Sequence, residues 1–509
     1  MSGADGGAVR TPRRVLGQPR WFVTLFLTDM WERFSFFGMH AILVLFAVAA
    51  PQDGGLGLPR TQALALFGAY IGVVFIAAMP GGWVGDRILG ERRAVLTGGV
   101  VIALGHFTML VPAPAATYAG LALIACGTGL LKPNMLALLG RFFGPGRSAE
   151  REATMSVFYV SIQLSALVAP LVTGFLGETV DWHLGFGAAG AGMTLGVLQF
   201  ARGSRSFGDA GREPGQPATR DEARRAGRRA ATAVAVVAAL VAADVASGAF
   251  SLMHVVAAMG LLTLVAPVLC FLGLRRDPGL GAEERARVTS FGWVLAATAL
   301  FWMYVIQASS LLSLFAKRST DRDLGGFELP ASWFQSATPL FILLVAPVAA
   351  WLWARSGGRV PLPGKLALGL ALAAAAMAVM SGASAFAGGG ALVSPLWLIA
   401  VFFLLACGEV VLAPVGLSAS VDIAPSSFAG RTMGLYWMCS AFGAGIGSQI
   451  VHLVDVLPQP LYFLLLALAG AAAAVALLLA RRGLAERLAG GTRRTGQAPA
   501  QVPQAASAA

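Results

Sequence analysis

Fourteen times along this chain, an apolar run of about 19 to 29 residues is closed by a charge or a Gly/Pro cluster, long enough for a helix to cross a bilayer core. The runs are 22–50, 61–84, 93–111, 117–139, 152–176, 183–202, 230–248, 251–274, 289–315, 332–354, 365–387, 395–421, 428–452 and 459–480. In lipid every backbone amide must be bonded within the protein, so continuous runs of this length predict helices. The composition agrees, since 57% of residues are apolar and 12% charged, against about a quarter charged in a soluble domain. A mean hydropathy of +0.73 excludes a disordered chain as well. The expected fold is an all-α polytopic membrane protein with 14 transmembrane helices.

The runs 230–248, Ala-rich and holding Asp244, and 251–274 are the weakest of the set and read as a helical hairpin. A hydrophilic stretch rich in Gly, Pro and Arg, 203–229, stands just before them. The expected organisation is therefore a basic tail (1–21), a six-helix bundle (22–202), a linker (203–229), an inserted hairpin (230–274), a second six-helix bundle (275–480) and a disordered tail (481–509). Two such halves are how many secondary transporters are built, with the site at the midplane between them.

A net charge of +12 would point to nucleic acid in a soluble protein. Here nearly all of the 37 Lys and Arg stand in alternate loops and tails. Only Arg60, Lys317, Arg318 and Arg322 fall in the other loops, and only Arg33 and Lys132 fall inside runs, away from the run ends where Arg93, Arg202, Lys365 and Arg431 stand. That asymmetry reports topology: a multi-pass cell-membrane protein with both termini in the cytoplasm, and no nucleic-acid partner. Cys126, Cys270, Cys407 and Cys439 lie in apolar segments without metal-ligand spacing and read as small buried residues. Residues 1–20 carry Arg10, Arg13, Arg14 and Arg20 but no apolar core of a cleavable leader, so the first span is expected to serve as the insertion signal.

The informative side chains are ionisable groups inside the runs, each costing at least about 2.5–3.5 kcal/mol at a helix centre. They are Asp29, Glu32 and Arg33 in the first run, Lys132 in the fourth, and Glu409 in the tenth of the main bundle. Counted from Arg20, Arg141 and Asp422 at about 1.5 Å per residue, Arg33, Lys132 and Glu409 all lie about 14–20 Å from the cytoplasmic border. Asp29, Glu32 and Arg33 stand at i, i+3 and i+4 on one helical face, with His40 two turns further along it. Three acids against two bases leave a charge of −1, so the set becomes neutral when it holds one extra proton. Static ion pairs between helices would explain one such pair, but five charges at one depth point to proton coupling. His106, His183, His254 and His452 are isolated and read as structural.

The loop Gly82-Trp83-Val84-Gly85-Asp86-Arg87 through Arg92-Arg93 resembles the signature of the major facilitator superfamily. Asp29-Met-Trp-Glu32-Arg33-Phe-Ser-Phe-Phe-Gly38 resembles the first-helix motif of the proton-dependent oligopeptide transporter family within it. Gly127-Thr-Gly-Leu-Leu-Lys132-Pro-Asn134 is similar to that family's fourth-helix motif, and Phe158-Tyr159-Val-Ser-Ile162-Gln163 to its fifth. Trp182-His183-Leu-Gly-Phe186-Gly187, Ala331-Ser-Trp333-Phe-Gln335-Ser and Gly408-Glu409 through Pro414-Val-Gly416-Leu-Ser418 match in order, covering about residues 21 to 450.

The resemblance implies a major facilitator bundle of two six-helix halves with two helices inserted between them. It implies that Asp29, Glu32 and Arg33 form the proton-coupling cluster, with Asp29 in place of the usual Glu. It further implies that Lys132 and Glu409 meet at a cytoplasmic gate, and that they bind a substrate's carboxylate and amine. The chain departs from the pattern at several positions: His40 stands for a second Arg, Phe36 and Phe37 for paired tyrosines, and Gln163 and Thr338 for Asn. Ile306, before Gln307, replaces an acid that usually pairs with that Arg, so one acid and one base are lost together and the sum stays at −1. The expected substrate-contacting set is Lys132, Glu409, His40, Phe36, Phe37, Gln163, Trp302, Gln307, Thr338 and Trp333. Trp302, Tyr304, Trp333 and Phe334 read equally well as cavity lining or as aromatic packing.

The function implied is proton-coupled symport of di- and tripeptides or peptide-like solutes by alternating access, with a small solute, protons and membrane lipid as partners and a monomer as the working unit. The alternatives are a transporter of a non-peptide anion or hydrophobic compound, in either direction, and a membrane sensor that moves no solute. No catalytic constellation, metal site or cofactor is expected.

Overall fold

A computed structural model describes residues 14–15, 18–143, 148–356, 360–422 and 429–489. The first half comprises α1 (Arg20–Val48), α2 (Arg60–Val84), α3 (Glu91–Thr108), α4 (Pro114–Gly140), α5 (Ser148–Phe175) and α6 (Trp182–Gly203). Then follow α7 (Arg220–Ala246) and α8 (Leu252–Arg275). The second half comprises α9 (Ala282–Ser309), α10 (Leu311–Ser319), α11 (Ala337–Ser356), α12 (Leu362–Phe386), α13 (Leu396–Asp422), α14 (Ala429–Ile450), the short α15 (Leu453–Val456) and α16 (Gln459–Leu479), and α17 (Arg481–Ala489) trails it. The only strands among the described residues form two-residue hairpins, β1 (Arg14–Val15) with β2 (Gln18–Pro19) and β3 (Asp323–Leu324) with β4 (Phe327–Glu328).

Thirteen helices among the described residues are long and apolar enough to cross a membrane. The fourteenth expected span is α3, an 18-residue helix that opens on Glu91, Arg92 and Arg93, and those charges lower its hydropathy. The exposed apolar residues of α5, Val157, Val160, Leu164, Val168 and Val172, recur every three or four positions, the stripe a helix turns to lipid.

Small residues decide how closely the helices approach. A Cβ on Gly81 would stand 2.1 Å from the Gly129 carbonyl oxygen, and one on Gly98 would stand 2.7 Å from that of Gly127. The backbones of α2, α3 and α4 therefore touch directly, as glycine allows between helices in lipid. Between the halves, α2 packs on α14, and α5 packs on α11 and on the 3-10 turn Ala331–Ser336 before it.

Three details differ from the sequence expectation. The linker is shorter, because α7 begins at Arg220, where the Thr219 hydroxyl and Glu222 carboxylate cap it reciprocally. The two hairpin helices part company. The α7 helix is exposed along its length, while α8 docks on both halves, its buried Thr263 wedged between Gly72 and Gly445. The run 289–315 breaks at Ser310, whose backbone leaves the helical region (φ −120, ψ −80) between α9 and α10. The tail 481–509 is helical as far as Ala489, and its remainder, like most of the tail 1–21, lies outside the described residues.

Candidate functional site

Four ionisable side chains meet where α1 faces α4 and α5. Arg33 Nε lies 3.6 Å from Asp29 Oδ1 and 3.5 Å from Glu32 Oε2. Lys132 Nζ reaches across from α4 to within 3.6 Å of Glu32 Oε1. The Ser161 hydroxyl on α5 donates to Asp29 Oδ2 at 3.1 Å. Two acids and two bases thus balance within one buried group, the Glu32 side chain only 1% exposed.

Local sequence explains why Lys132 arrives there. Pro133 has no N–H, which leaves the Gly129 carbonyl without its usual helical donor and weakens α4 just there. Asn134 holds the segment by donating to the Leu130 and Gly81 carbonyls at 2.6 and 3.0 Å. Its Oδ1 sits where any Cβ on Gly85 would fall, at 1.7 Å, so the signature loop after α2 is built against it.

Aromatic rings surround the lysine. Lys132 Nζ stands 3.6 Å from the centroid of the Phe36 ring and 5.9 Å from that of Phe75, an attraction between ammonium and ring face. Phe37 packs edge-on to Phe36, with centroids 5.4 Å apart. His40 lies between Phe36 (4.2 Å) and Phe67 (5.1 Å), and its buried Nε2 has no hydrogen-bond partner among the described residues. It reads here as part of an aromatic stack rather than as a member of an ion pair.

Glu409 lies apart from this group. Among the described residues no ion pair joins it to Lys132 or to another base. Its carboxyl is near enough to the Tyr159 and Tyr436 hydroxyls to act on them electrostatically, and Tyr159 hydrogen-bonds to the buried Gln163. The approach of Lys132 to Glu409 that the motifs imply is therefore not made in this structure, where Lys132 is held by Glu32 instead.

The remaining expected residues divide. Gln307 donates to the Tyr462 hydroxyl at 2.8 Å, and with Ile306 it lines a small crevice beside Gly68 and Ser448. Trp333 donates its indole N–H to the Leu171 carbonyl at 3.0 Å, which ties the halves together rather than lining a cavity. Trp302 and Thr338 are half-buried on α9 and α11. Of the histidines read as isolated, His254 in fact meets Asp244 at 2.8 Å across the tip of the hairpin, His183 the Met109 carbonyl, and His106 the Ser35 hydroxyl.

Sequence reasoning missed several neighbours. Ser161 and Tyr159 sit inside a quoted motif but carry no charge to single them out. Tyr70 is the one hydroxyl-bearing aromatic in the second run, buried with no hydrogen-bond partner among the described residues and within electrostatic range of Glu32. Glu178 stands at a run's end, where a charge is ordinary, yet its side chain is only 2% exposed.

Residues 92–464 match the family model described as the POT family. An uncharacterised transporter of Bacillus subtilis (strain 168), YclF, is 36% identical over 450 residues, 88% of this chain and 90% of that protein. A di-/tripeptide transporter of Lactococcus lactis subsp. cremoris is 31% identical over 483 residues, 93% of this chain and 97% of that protein. A crystal structure described as the peptide transporter POT in complex with sulfate superposes with a TM-score of 0.89 at 37% identity, covering 94% of this chain and 97% of that one.

Proposed function

Because this chain belongs to the POT family and is a multi-pass membrane transporter rather than an enzyme, we propose that it carries di- and tripeptides or peptide-like solutes together with protons by alternating access. The observation that carries this reading is the division of the buried charges: a balanced quartet, Asp29–Arg33–Glu32–Lys132, and an acid with no base among the described residues, Glu409.

A zwitterionic solute complements that division. Its ammonium neutralises Glu409, and its carboxylate draws Lys132 away from Glu32. Glu32 then shares Arg33 with Asp29, two acids against one base in a site where an unpaired charge is costly. A proton taken up by the quartet restores the balance, so solute and proton travel together. Once the site empties, Lys132 returns to Glu32 or crosses to Glu409, and the latter closes the end that carries the termini. In this reading the halves are 22–202 and 275–480, they rock about the site with both termini in the cytoplasm, and a single chain suffices.

The test is uptake of a labelled dipeptide into proteoliposomes under an imposed inward proton gradient. The parent protein is expected to concentrate the dipeptide, and Glu32→Gln to exchange it across the membrane without concentrating it. Gradient-driven accumulation by Glu32→Gln equal to the parent's refutes the coupling.

A second reading, a hydrophobic or modified peptide or a non-peptide compound, is favoured by the Phe36–His40–Phe67 stack and by Ile306, none of which offers a charge to a carboxylate. Competition by C-terminally amidated or apolar solutes that outdoes free dipeptides decides for it.

A further inference from the structure

Away from the termini, where α5 ends and the 3-10 turn Ala331–Ser336 begins, one carboxylate of the first half is enclosed by donors of the second. Glu178 Oε1 accepts from the Ser332 backbone N–H at 2.8 Å and from the Ser332 hydroxyl at 2.7 Å. Its Oε2 accepts from the Ala331 N–H at 3.1 Å and from Lys317 Nζ at 3.4 Å. The receiving segment is itself held in place, because buried Arg322 bonds to the Leu329 carbonyl and to Glu328 and so braces the hairpin leading into it.

The surroundings are shaped to admit this contact. A Cβ on Gly174 would stand 2.0 Å from Ser332 Oγ and 3.0 Å from its Cβ, so the halves close to this distance only because residue 174 has no side chain. Three further bonds cross the same seam: Trp333 Nε1 to the Leu171 carbonyl, Ser336 Oγ to the Leu167 carbonyl at 2.8 Å, and Gln335 Nε2 to the Ala41 carbonyl at 3.4 Å. All three end on backbone carbonyls. Among the described residues, Glu178 is the carboxylate of this seam, and it gathers four donors from the opposite half, the Lys317 ammonium among them.

We propose that Glu178 is the latch of this face: its enclosure by Ala331, Ser332 and Lys317 sets how often the halves part there, and every transport cycle must release it. Hydrogen bonds to a charged group are the strong ones in a seam of this kind, and releasing the carboxylate leaves two backbone N–H groups to find water. The neutral contacts beside it position the halves, and the carboxylate fixes the balance between the closed and open arrangements. The inference rests on the transport reading only for the purpose of the motion.

The experiment measures that motion without solute. Spin labels at Val180 and Leu324, exposed positions on the two sides of the seam, report its width in reconstituted protein whose Cys126, Cys270, Cys407 and Cys439 are changed to alanine. The parent is expected to give one short distance. Glu178→Gln keeps the shape but loses the charge and half the acceptor capacity, and it is expected to move the open-to-closed ratio by about tenfold or more. Gly174→Ala is expected to do the same by wedging the seam apart, while Lys317→Gln is expected to do much less because that ammonium is half-exposed.

A distance distribution in Glu178→Gln that superposes on the parent's overturns the proposal. If that variant does not purify in a folded form, Ser332→Ala, which removes one donor from the same carboxylate, carries the test under the same criterion. A shifted distance with no solute transport leaves the latch standing and fails the transport reading. An unshifted distance with transport intact fails the latch alone.

Discussion

The quartet around Arg33 makes a quantitative prediction, because its four charges balance and any single removal unbalances them. At 3.6 Å the attraction between Lys132 and Glu32 is about 5 kcal/mol at an effective dielectric of about 20. Lys132→Gln leaves two acids sharing Arg33, and Glu32→Gln leaves two bases sharing Asp29. Each single change strands a buried charge and is expected to cost about 3–5 kcal/mol. The double change leaves Asp29 and Arg33 as a balanced pair, so its cost is expected to fall below the sum of the singles by about 3 kcal/mol. The 11 tryptophans allow unfolding of the purified protein to be followed by intrinsic fluorescence. The single variants are expected to lower the apparent Tm by on the order of 5 °C, and the double by about as much as one single variant rather than by the two losses added. A Tm for the double variant as low as the two single losses added together would mean that Lys132 and Glu32 are not coupled, and the exchange of partners proposed for transport would lose its basis.

Three further outcomes follow from single contacts. Gly85→Ala drives a Cβ into Asn134 Oδ1 at 1.7 Å, so it is expected to cost about 1–3 kcal/mol in thermal unfolding, while Gly82→Ala, with its nearest neighbour at 3.4 Å, is expected to cost little. Gly72→Ala meets Thr263 Cγ2 at 2.3 Å and is expected to loosen α8; adding Thr263→Ala removes that atom, leaves only the Thr263 Cβ position at 2.9 Å, and is expected to recover part of the lost Tm. Glu409→Gln is expected to erase a preference of roughly tenfold for dipeptides with a free amino terminus over their N-acetylated forms, read as competition for uptake. A Glu409→Gln protein that keeps that preference assigns the ammonium to another group.

Lipid made most of this fold legible in the sequence. Each expected span overlaps a helix, because a bilayer requires long apolar runs and punishes breaks in them. The misplaced boundary at α7 was also written there: Thr219 followed three residues later by Glu222 is a helix start, but five arginines nearby gave the stretch the look of a linker. The break at Ser310 was not legible, because two serines in an apolar run leave its hydropathy intact. Charges inside runs gave away Asp29, Glu32, Arg33, Lys132 and Glu409, and their separation along each helix gave the depth of each one.

Depth is not partnership, and this limits what the motifs alone decide. Lys132 stands at the same level as both Glu32 and Glu409, and which acid it takes depends on how far the two halves have come together, a variable absent from any one helix. The structure gives one answer, Lys132 on Glu32, and in the same arrangement Glu178 is enclosed at the opposite face. Alternating access requires that these two facts not be independent. If the halves rock about the site, closing Lys132 onto Glu409 at one end strains the seam that Glu178 holds at the other, so the parting of that seam becomes the counterpart of the lysine's change of acid. The spin-label distances of Lys132→Gln, a residue far from the seam, therefore bear on the mechanism as directly as those of Glu178→Gln.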